Sequence, residues 1–315
     1  MVVASDPQTS DTVLLVRPAC FAFHEEAAQS NRFARKGAIA DLADVARAEF
    51  DGLASALQDA GVDCVILDDT PDIPRPDAVF PNNWVSFHAD GTMVLYPMAT
   101  AARRLERNVD GLESLIARSG FEIRRIVDLS FHERHGHFLE GTGSLILDRP
   151  SRRAYACRSP RTDPAVVADF DDRLDYSTFV FEARDRSGQP IYHTNVLMTL
   201  GTKFAILCSE AVSEAQRDVL AGEIEANGRS LIDVSYAQLG EFVCNAIEVR
   251  SARTGDPVIA LSTSALASLR RDQVKMLEGY GSLVAVPIPT IEQVGGGSVR
   301  CMIADVHLPR VSPSS

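Results

Sequence analysis

Short runs of aliphatic and β-branched residues recur along the whole chain, and stretches with a 3.6-residue apolar period lie between several of them. The runs are TVLLVRP, CVILDD, TMVLYPM, SLILD, RAYAC, VLMTL, KFAILCS, FVCNAIEV, PVIALST, LVAVPI and CMIADVHLP. The helical period appears around Asp41–Ala60, Arg104–Ser119, Glu210–Ala226 and Ser264–Gly279. Strands that alternate with amphipathic helices bury their apolar faces by layering helix on sheet. The pattern therefore predicts an α/β fold.

A second regularity concerns polar residues at the ends of these runs. Asn83, Glu140, His193, Asn245 and Cys301 are separated by 57, 53, 52 and 56 residues. Such a period suggests five similar supersecondary units around a pseudo-symmetry axis, with distant residues converging on one central pocket. The units share negligible sequence identity, so spacing alone carries this reading. Gly295-Gly296-Gly297 and Gly141-x-Gly143 mark tight turns where backbone passes close to something.

Composition excludes several functional classes. With 315 residues, 45% of them apolar and 23% charged, the chain can bury a sizeable core and is not broadly disordered. A formal net charge of −12, with no basic stripe, repels a phosphate backbone and argues against a nucleic-acid partner. No run approaches the ~18 apolar residues of a membrane span, and MVVASDPQTSDTVLL lacks the basic and apolar regions of a signal peptide. Cys20, Cys64, Cys157, Cys208, Cys244 and Cys301 occur singly, which fails the spacing of zinc knuckles and thioredoxin-like pairs. Cys64, Cys208 and Cys244 lie in apolar runs and are expected in buried strands as small hydrophobes. The expected setting is a reducing cytoplasm. One catalytic domain is expected over residues 1–315, ordered over about 11–309, with a frayed tail HLPRVSPSS.

Several residues could carry chemistry. Cys301 follows a glycine-rich turn and adjoins Arg300, which suits a nucleophilic thiolate; a structural cysteine opening a strand fits the same segment. His193, in PIYHTNV, suits proton transfer if a thiol and a carboxylate are near, and otherwise a satisfied core histidine. Glu140, in HFLEGTGS, sits where a charge is costly unless paired; a turn glutamate facing water is the alternative. Asn82 and Asn83 lie in VFPNNWVSF, where burial demands hydrogen-bond partners or a simple turn explains them. Arg161 in CRSPRT, and Arg103 or Arg104 in ARRLE, could hold a carboxylate or be solvated surface charges. His132, His135 and His137, beside Glu133, raise a zinc reading, but H-E-R-H lacks the H-E-x-x-H spacing. Neither a metal nor a cofactor is expected.

Taken in order, LEGTGS, YHTNV, EFVCNAIEV and GGGSVRCM resemble the guanidine-modifying (amidinotransferase, or pentein) superfamily over nearly the whole chain. That superfamily includes arginine deiminase, dimethylarginine dimethylaminohydrolase, arginine dihydrolase and the citrulline-utilisation hydrolases; VFPNNWVSFH is nearest to the last group. The resemblance implies a five-bladed α/β propeller of ββαβ units with pseudo-fivefold symmetry. It implies Cys301 as nucleophile, His193 as general acid and base, and Glu140 as the carboxylate pairing with histidine and substrate. It further implies Arg161 on the substrate α-carboxylate, Arg103 or Arg104 as a second contact, and Asn31-Arg32-Phe33 on a loop over the substrate. Phe80, Asn82, Asn83, Asn195 and Asn245 complete the expected substrate-binding set.

Two departures from the deiminase pattern matter. The F-x-x-D position reads Phe80-Pro81-Asn82-Asn83, and the aspartate of H-x-D is Asn195. A guanidinium presents only donors, whereas a neutral ureido group presents an acceptor oxygen as well, which an amide can answer. The expected reaction is hydrolysis of free citrulline to ornithine, carbon dioxide and ammonia. The alternatives are an arginine dihydrolase, a deiminase or dimethylarginine-type hydrolase, a metal-dependent hydrolase, and a non-catalytic small-molecule-binding pentein. A homo-oligomer is compatible with the sequence.

Overall fold

The computed structural model describes residues 6–37 and 39–311. Among them, strand β1 (Thr12–Arg17) pairs in parallel with β2 (Asp63–Asp68). Four further sheets share one plan, an antiparallel pair followed by a parallel partner. They are β3 (Val85–Phe87), β4 (Thr92–Leu95) and β5 (Arg125–Asp128), then β6 (Ile146–Asp148), β7 (Arg153–Cys157) and β8 (Ser177–Phe181). The chain continues through β9 (Met198–Leu200), β10 (Phe204–Leu207) and β11 (Ser230–Asp233), then β12 (Ile247–Arg250), β13 (Pro257–Ser262) and β14 (Ser282–Val286). Finally β15 (Ala304–Asp305) returns to pair antiparallel with β1, so the C-terminal end of the chain completes the first sheet.

Each parallel pair needs a crossover, and a helix supplies it. Leu42–Asp59 links β1 to β2 and buries Ala46, Phe50, Leu53, Ala54 and Leu57, the stripe its period foretells. Val109–Arg118, Pro164–Leu174 and Glu214–Ala226 serve the next three sheets, and Thr263–Ser268 with Arg271–Glu278 the fifth. The helix expected over Arg104–Ser119 is divided, because Asn108 accepts a hydrogen bond from the Gly111 amide and starts a new helix there. Likewise Ser264–Gly279 breaks at Leu269-Arg270, where both residues leave the helical conformation.

The strands β5, β8 and β11 have no counterpart among the predicted runs. All three are third strands with partly exposed side chains, and their regularity comes from pairing with a buried central neighbour. Cys244 lies in a turn ahead of β12 rather than in a strand, and Cys64 is only half-buried on β2. The tail expected to fray is held as far as Val311: the Glu122 amide donates to the Pro309 carbonyl and the Val311 amide to that of Gly120. Its last four residues, 312–315, lie outside the described residues, as do the first five of the segment read for a signal peptide. No helix among the described residues is long and apolar enough to cross a membrane.

Candidate active site

The five residues picked out by spacing all lie a few residues ahead of the outer antiparallel strand of a sheet. Asn83 closes the turn Pro81–Asn83 before β3, and Glu140 precedes the helical turn Gly141–Ser144 before β6. His193 caps Thr194–Leu197 before β9, Asn245 precedes β12, and Cys301 precedes β15. These stretches lie outside the sheet ladders, which leaves their side chains free to meet.

Glu140 is fully buried, and three groups satisfy it. Its Oε1 accepts from the Ala99 amide at 3.0 Å, and its Oε2 from His193 Nε2 at 2.8 Å and Arg161 Nη1 at 3.2 Å. Burial works to raise its carboxyl, but Arg161 and then His193 outweigh that and hold it well below the usual carboxylate range. Burial also pushes the His193 imidazole down to about 4, against the pull of Glu140, so it is neutral at pH 7. With Nε2–H donated to an ionised carboxylate, Nδ1 is left as the basic nitrogen. Gly141 (φ +48°) and Gly143 have no room for a side chain. A Cβ on Gly141 would collide with the Asn82 carbonyl; one on Gly143 would collide with Asn83 Nδ2 and lie 2.9 Å from His193 Nδ1.

Cys301 sits in a turn, its amide donating to the Ser298 carbonyl at 2.9 Å. Asn245 Nδ2 points at its sulfur from 3.2 Å and Asn195 Nδ2 from 3.3 Å. Burial pushes this thiol above its ordinary value, with Asn245, the Ser298 backbone and Asn195 opposing. The cation expected beside it is elsewhere. Arg300 donates to the Ile303 carbonyl at 2.7 Å and lies 3.6 Å from Asp305.

Cys301 and His193 line one narrow cavity, together with Phe80, Asn83, Arg103, Arg161, Asp77, Tyr192, Asn31 and the Gly295–Gly297 turn. Of the two arginines in ARRLE, Arg103 is the one on the cavity wall. It grips Glu106 with two bonds of 2.9 Å and donates to Asn83 Oδ1 at 2.8 Å. Arg104 turns away to the Met98 carbonyl and to Glu133, which corrects its candidacy. Asn82 is also corrected: it does not line the cavity, and its carbonyl oxygen accepts from Thr142 Oγ1. Asn195 and Asn245, expected to face substrate, lie against the sulfur.

Arg161 donates to Ser30 Oγ, the Ala27 carbonyl and Glu140, and so ties the 27–31 segment to the site. Asn31 continues that tie by donating from Nδ2 to the Gly295 and Gly296 carbonyls. Asp77 was missed. It is buried, 2.7 Å from His24 Nδ1 and 3.7 Å from Arg103 Nε. An acid between Pro76 and the apolar AVF was the same signal that singled out Glu140. Two of the three histidines of the zinc reading have other partners: His132 bonds Asp169 and His137 bonds Asp163. No group of three or more His, Cys, Asp or Glu among the described residues could hold a metal ion.

The family described as N,N dimethylarginine dimethylhydrolase, eukaryotic, matches residues 17–308 of this sequence. The chain belongs to that family. This dimethylarginine dimethylhydrolase-family chain matches no curated protein sequence. Among solved structures it is similar to apo ArgZ, an arginine dihydrolase from the ornithine-ammonia cycle in cyanobacteria, with TM-score 0.73 and 17% identity over 95% of this chain. It spans 41% of that ArgZ chain, but 98% of the isolated ArgZ N-terminal domain bound to substrate (TM-score 0.71, 16% identity, 96% of this chain). It is also similar to a cysteine-to-serine mutant of DDAH from Pseudomonas aeruginosa complexed with citrulline (TM-score 0.65, 14% identity, 94% of this chain and 99% of that one). The family chain thus has the mixed α/β fold of these pentein-type neighbours.

Proposed function

We propose that this chain is a cysteine-dependent hydrolase of a C–N bond in the guanidino or ureido group of a free amino acid, citrulline foremost. The supporting observation is a buried thiol and a neutral imidazole on the walls of one narrow cavity, with an ionised carboxylate behind the imidazole.

In this reading the thiol proton passes to the free imidazole nitrogen, and the sulfur attacks the ureido carbon. The imidazolium then protonates the departing ornithine nitrogen as the C–N bond breaks, leaving an S-carbamoyl group. His193 next takes a proton from the water that attacks this group. The thiol is restored, and carbamate decays to carbon dioxide and ammonia. Glu140 keeps Nε2–H in place and stabilises the imidazolium when it forms.

Asn83 supports the ureido form. Arg103 has only donors, so its bond fixes Asn83 Oδ1 toward it and leaves Nδ2, a buried donor without a partner, as the free end. A donor there suits a ureido oxygen and opposes a guanidinium. The second reading, an arginine or methylarginine substrate, is favoured by Asp77 on the cavity wall and by the family itself. A panel of citrulline, arginine, methylarginines and agmatine, with ornithine and ammonia detection, separates the two. We expect kcat/KM for citrulline to exceed that for arginine at least ~10-fold, and Asn83→Asp to narrow or invert the ratio. Equal values for the two substrates in the wild type would sink the ureido reading.

The repeated sheet plan, with contacts of β15 to β3, β6 to β9 and β9 to β12, supports a five-bladed propeller of ββαβ units around one axis. The free cysteines are compatible with a reducing cytoplasm.

A further inference from the structure

The proposed nucleophile lies in a cavity containing two arginines, yet neither cation is placed against its sulfur. Arg161 is bound to Glu140, Ser30 and Ala27, and Arg103 to Glu106, Asn83 and Phe80. Arg300, the adjacent residue, is turned to Ile303 and Asp305. His193 directs Nε2 at Glu140, Tyr192 donates its hydroxyl to the Gly296 carbonyl, and Asp77 is held by His24. The groups that do reach the sulfur are two neutral amides.

Their arrangement is built rather than incidental. Asn245 Oδ1 accepts the Cys301 amide at 3.2 Å while its Nδ2 donates to the Asn195 carbonyl at 3.1 Å. Those two backbone bonds fix which end of the amide is which, so an N–H of Asn245 faces Sγ without ambiguity. Asn195 approaches from a second sheet, at 0% exposure, its Oδ1 without any partner. A buried amide with an unpaired oxygen is costly, and the contact its nitrogen makes is the one with sulfur.

We infer that Asn195 and Asn245 are positioning residues that stabilise the Cys301 thiolate of the free enzyme through two amide N–H donors. This rests on Cys301 being the nucleophile of the proposed reaction, and it gives Asn195 a role at the sulfur rather than at the substrate. Hydrogen bonds to an ion favour its charged form, so each amide lowers the pH at which the thiolate appears. His193, neutral and committed to Glu140, contributes little to that midpoint in the free enzyme.

The test is the pH dependence of Cys301 alkylation by iodoacetamide in the full chain, followed by mass spectrometry of the Cys301 peptide. Asn195→Ala and Asn245→Ala should each raise the alkylation midpoint by about one pH unit. Asn195→Asp, which puts a carboxylate against the sulfur, should raise it further, and Asn195→Ser, which restores a donor, should recover part of the shift. His193→Ala should leave the midpoint within ~0.3 units. Thermal melts identify any variant that fails to fold, and Asn195→Ser, the mildest of the set, keeps the test open in that event. Unchanged midpoints in folded asparagine variants, or a midpoint moved by His193→Ala alone, would overturn the inference. Because alkylation needs no turnover, an enzyme that ignores citrulline and arginine leaves this result readable.

Discussion

The turn that carries Cys301, the strand end that carries Cys157 and the turn that carries Cys244 place the same residue type in comparably buried settings. Cys157 directs its sulfur at the Ile191 carbonyl, at 3.4 Å, and burial pushes its thiol up to about 12 against the opposing effect of Thr194. Cys244, adjoining Asn245 in sequence, packs into an apolar cluster and is pushed well above its ordinary value, again by burial. Cys301 is raised too, but it meets two amide donors and the cavity that His193 shares. Burial alone therefore makes an inert thiol. Amide donors aimed at sulfur, and a place on the cavity wall beside His193, separate Cys301 from the others.

The sharpest way to break this contrast is to exchange the roles. Cys301→Ser should cost at least ~10³-fold in kcat while the melting temperature stays near that of the wild type. Cys244→Ala should leave kcat within about threefold and lower the melting temperature by a few degrees through the small void it leaves. Assays and melts of both variants decide it; comparable losses of activity would erase the distinction.

Arg103 and Arg104 repeat the contrast at one position's remove. Arg103→Ala strands buried Glu106 and should destabilise the fold by about 3–5 kcal/mol as well as abolish activity. Arg104→Ala removes a partly exposed pairing with Glu133 and should cost under ~1 kcal/mol, with kcat little changed. Denaturant titrations of the two variants side by side provide the check.

The smallest effect expected is on stability against pH. Burial holds His193 at about 4 and His88 at about 3, both below the ordinary 6.5. Between those limits the unfolded chain binds more protons than the folded one, so stability is complete above pH 6.5 and declines as pH falls toward 4. Calorimetry over pH 7 to 4 should show a falling melting temperature; a flat profile would mean that these imidazoles are not held neutral.

Much of the site could be read along the chain because evenly spaced polar residues beside apolar runs are conspicuous. Asn83, Glu140, His193, Asn245 and Cys301 do stand at matching points of successive sheets, each just ahead of an outer antiparallel strand. Asp77 carried the same local signal as Glu140 but fell outside the period. The edge strands β5, β8 and β11 carried almost none, because half-exposed strands of four or five residues take their form from a neighbour.

By itself the sequence determined the alternation of strand and helix, the five-unit spacing and the identity of the buried polar residues, since local period and the cost of burying charge act within a few residues. Only the tertiary structure decided where those side chains point. It turned Arg300 and Arg104 away, chose Asn83 over Asn82 for the cavity, and set Asn195 and Asn245 against sulfur. The reason is physical: an orientation is fixed by partners fifty or more residues distant, such as Asn245 for Cys301 and Glu140 for His193, and no local pattern encodes which donor will meet which acceptor.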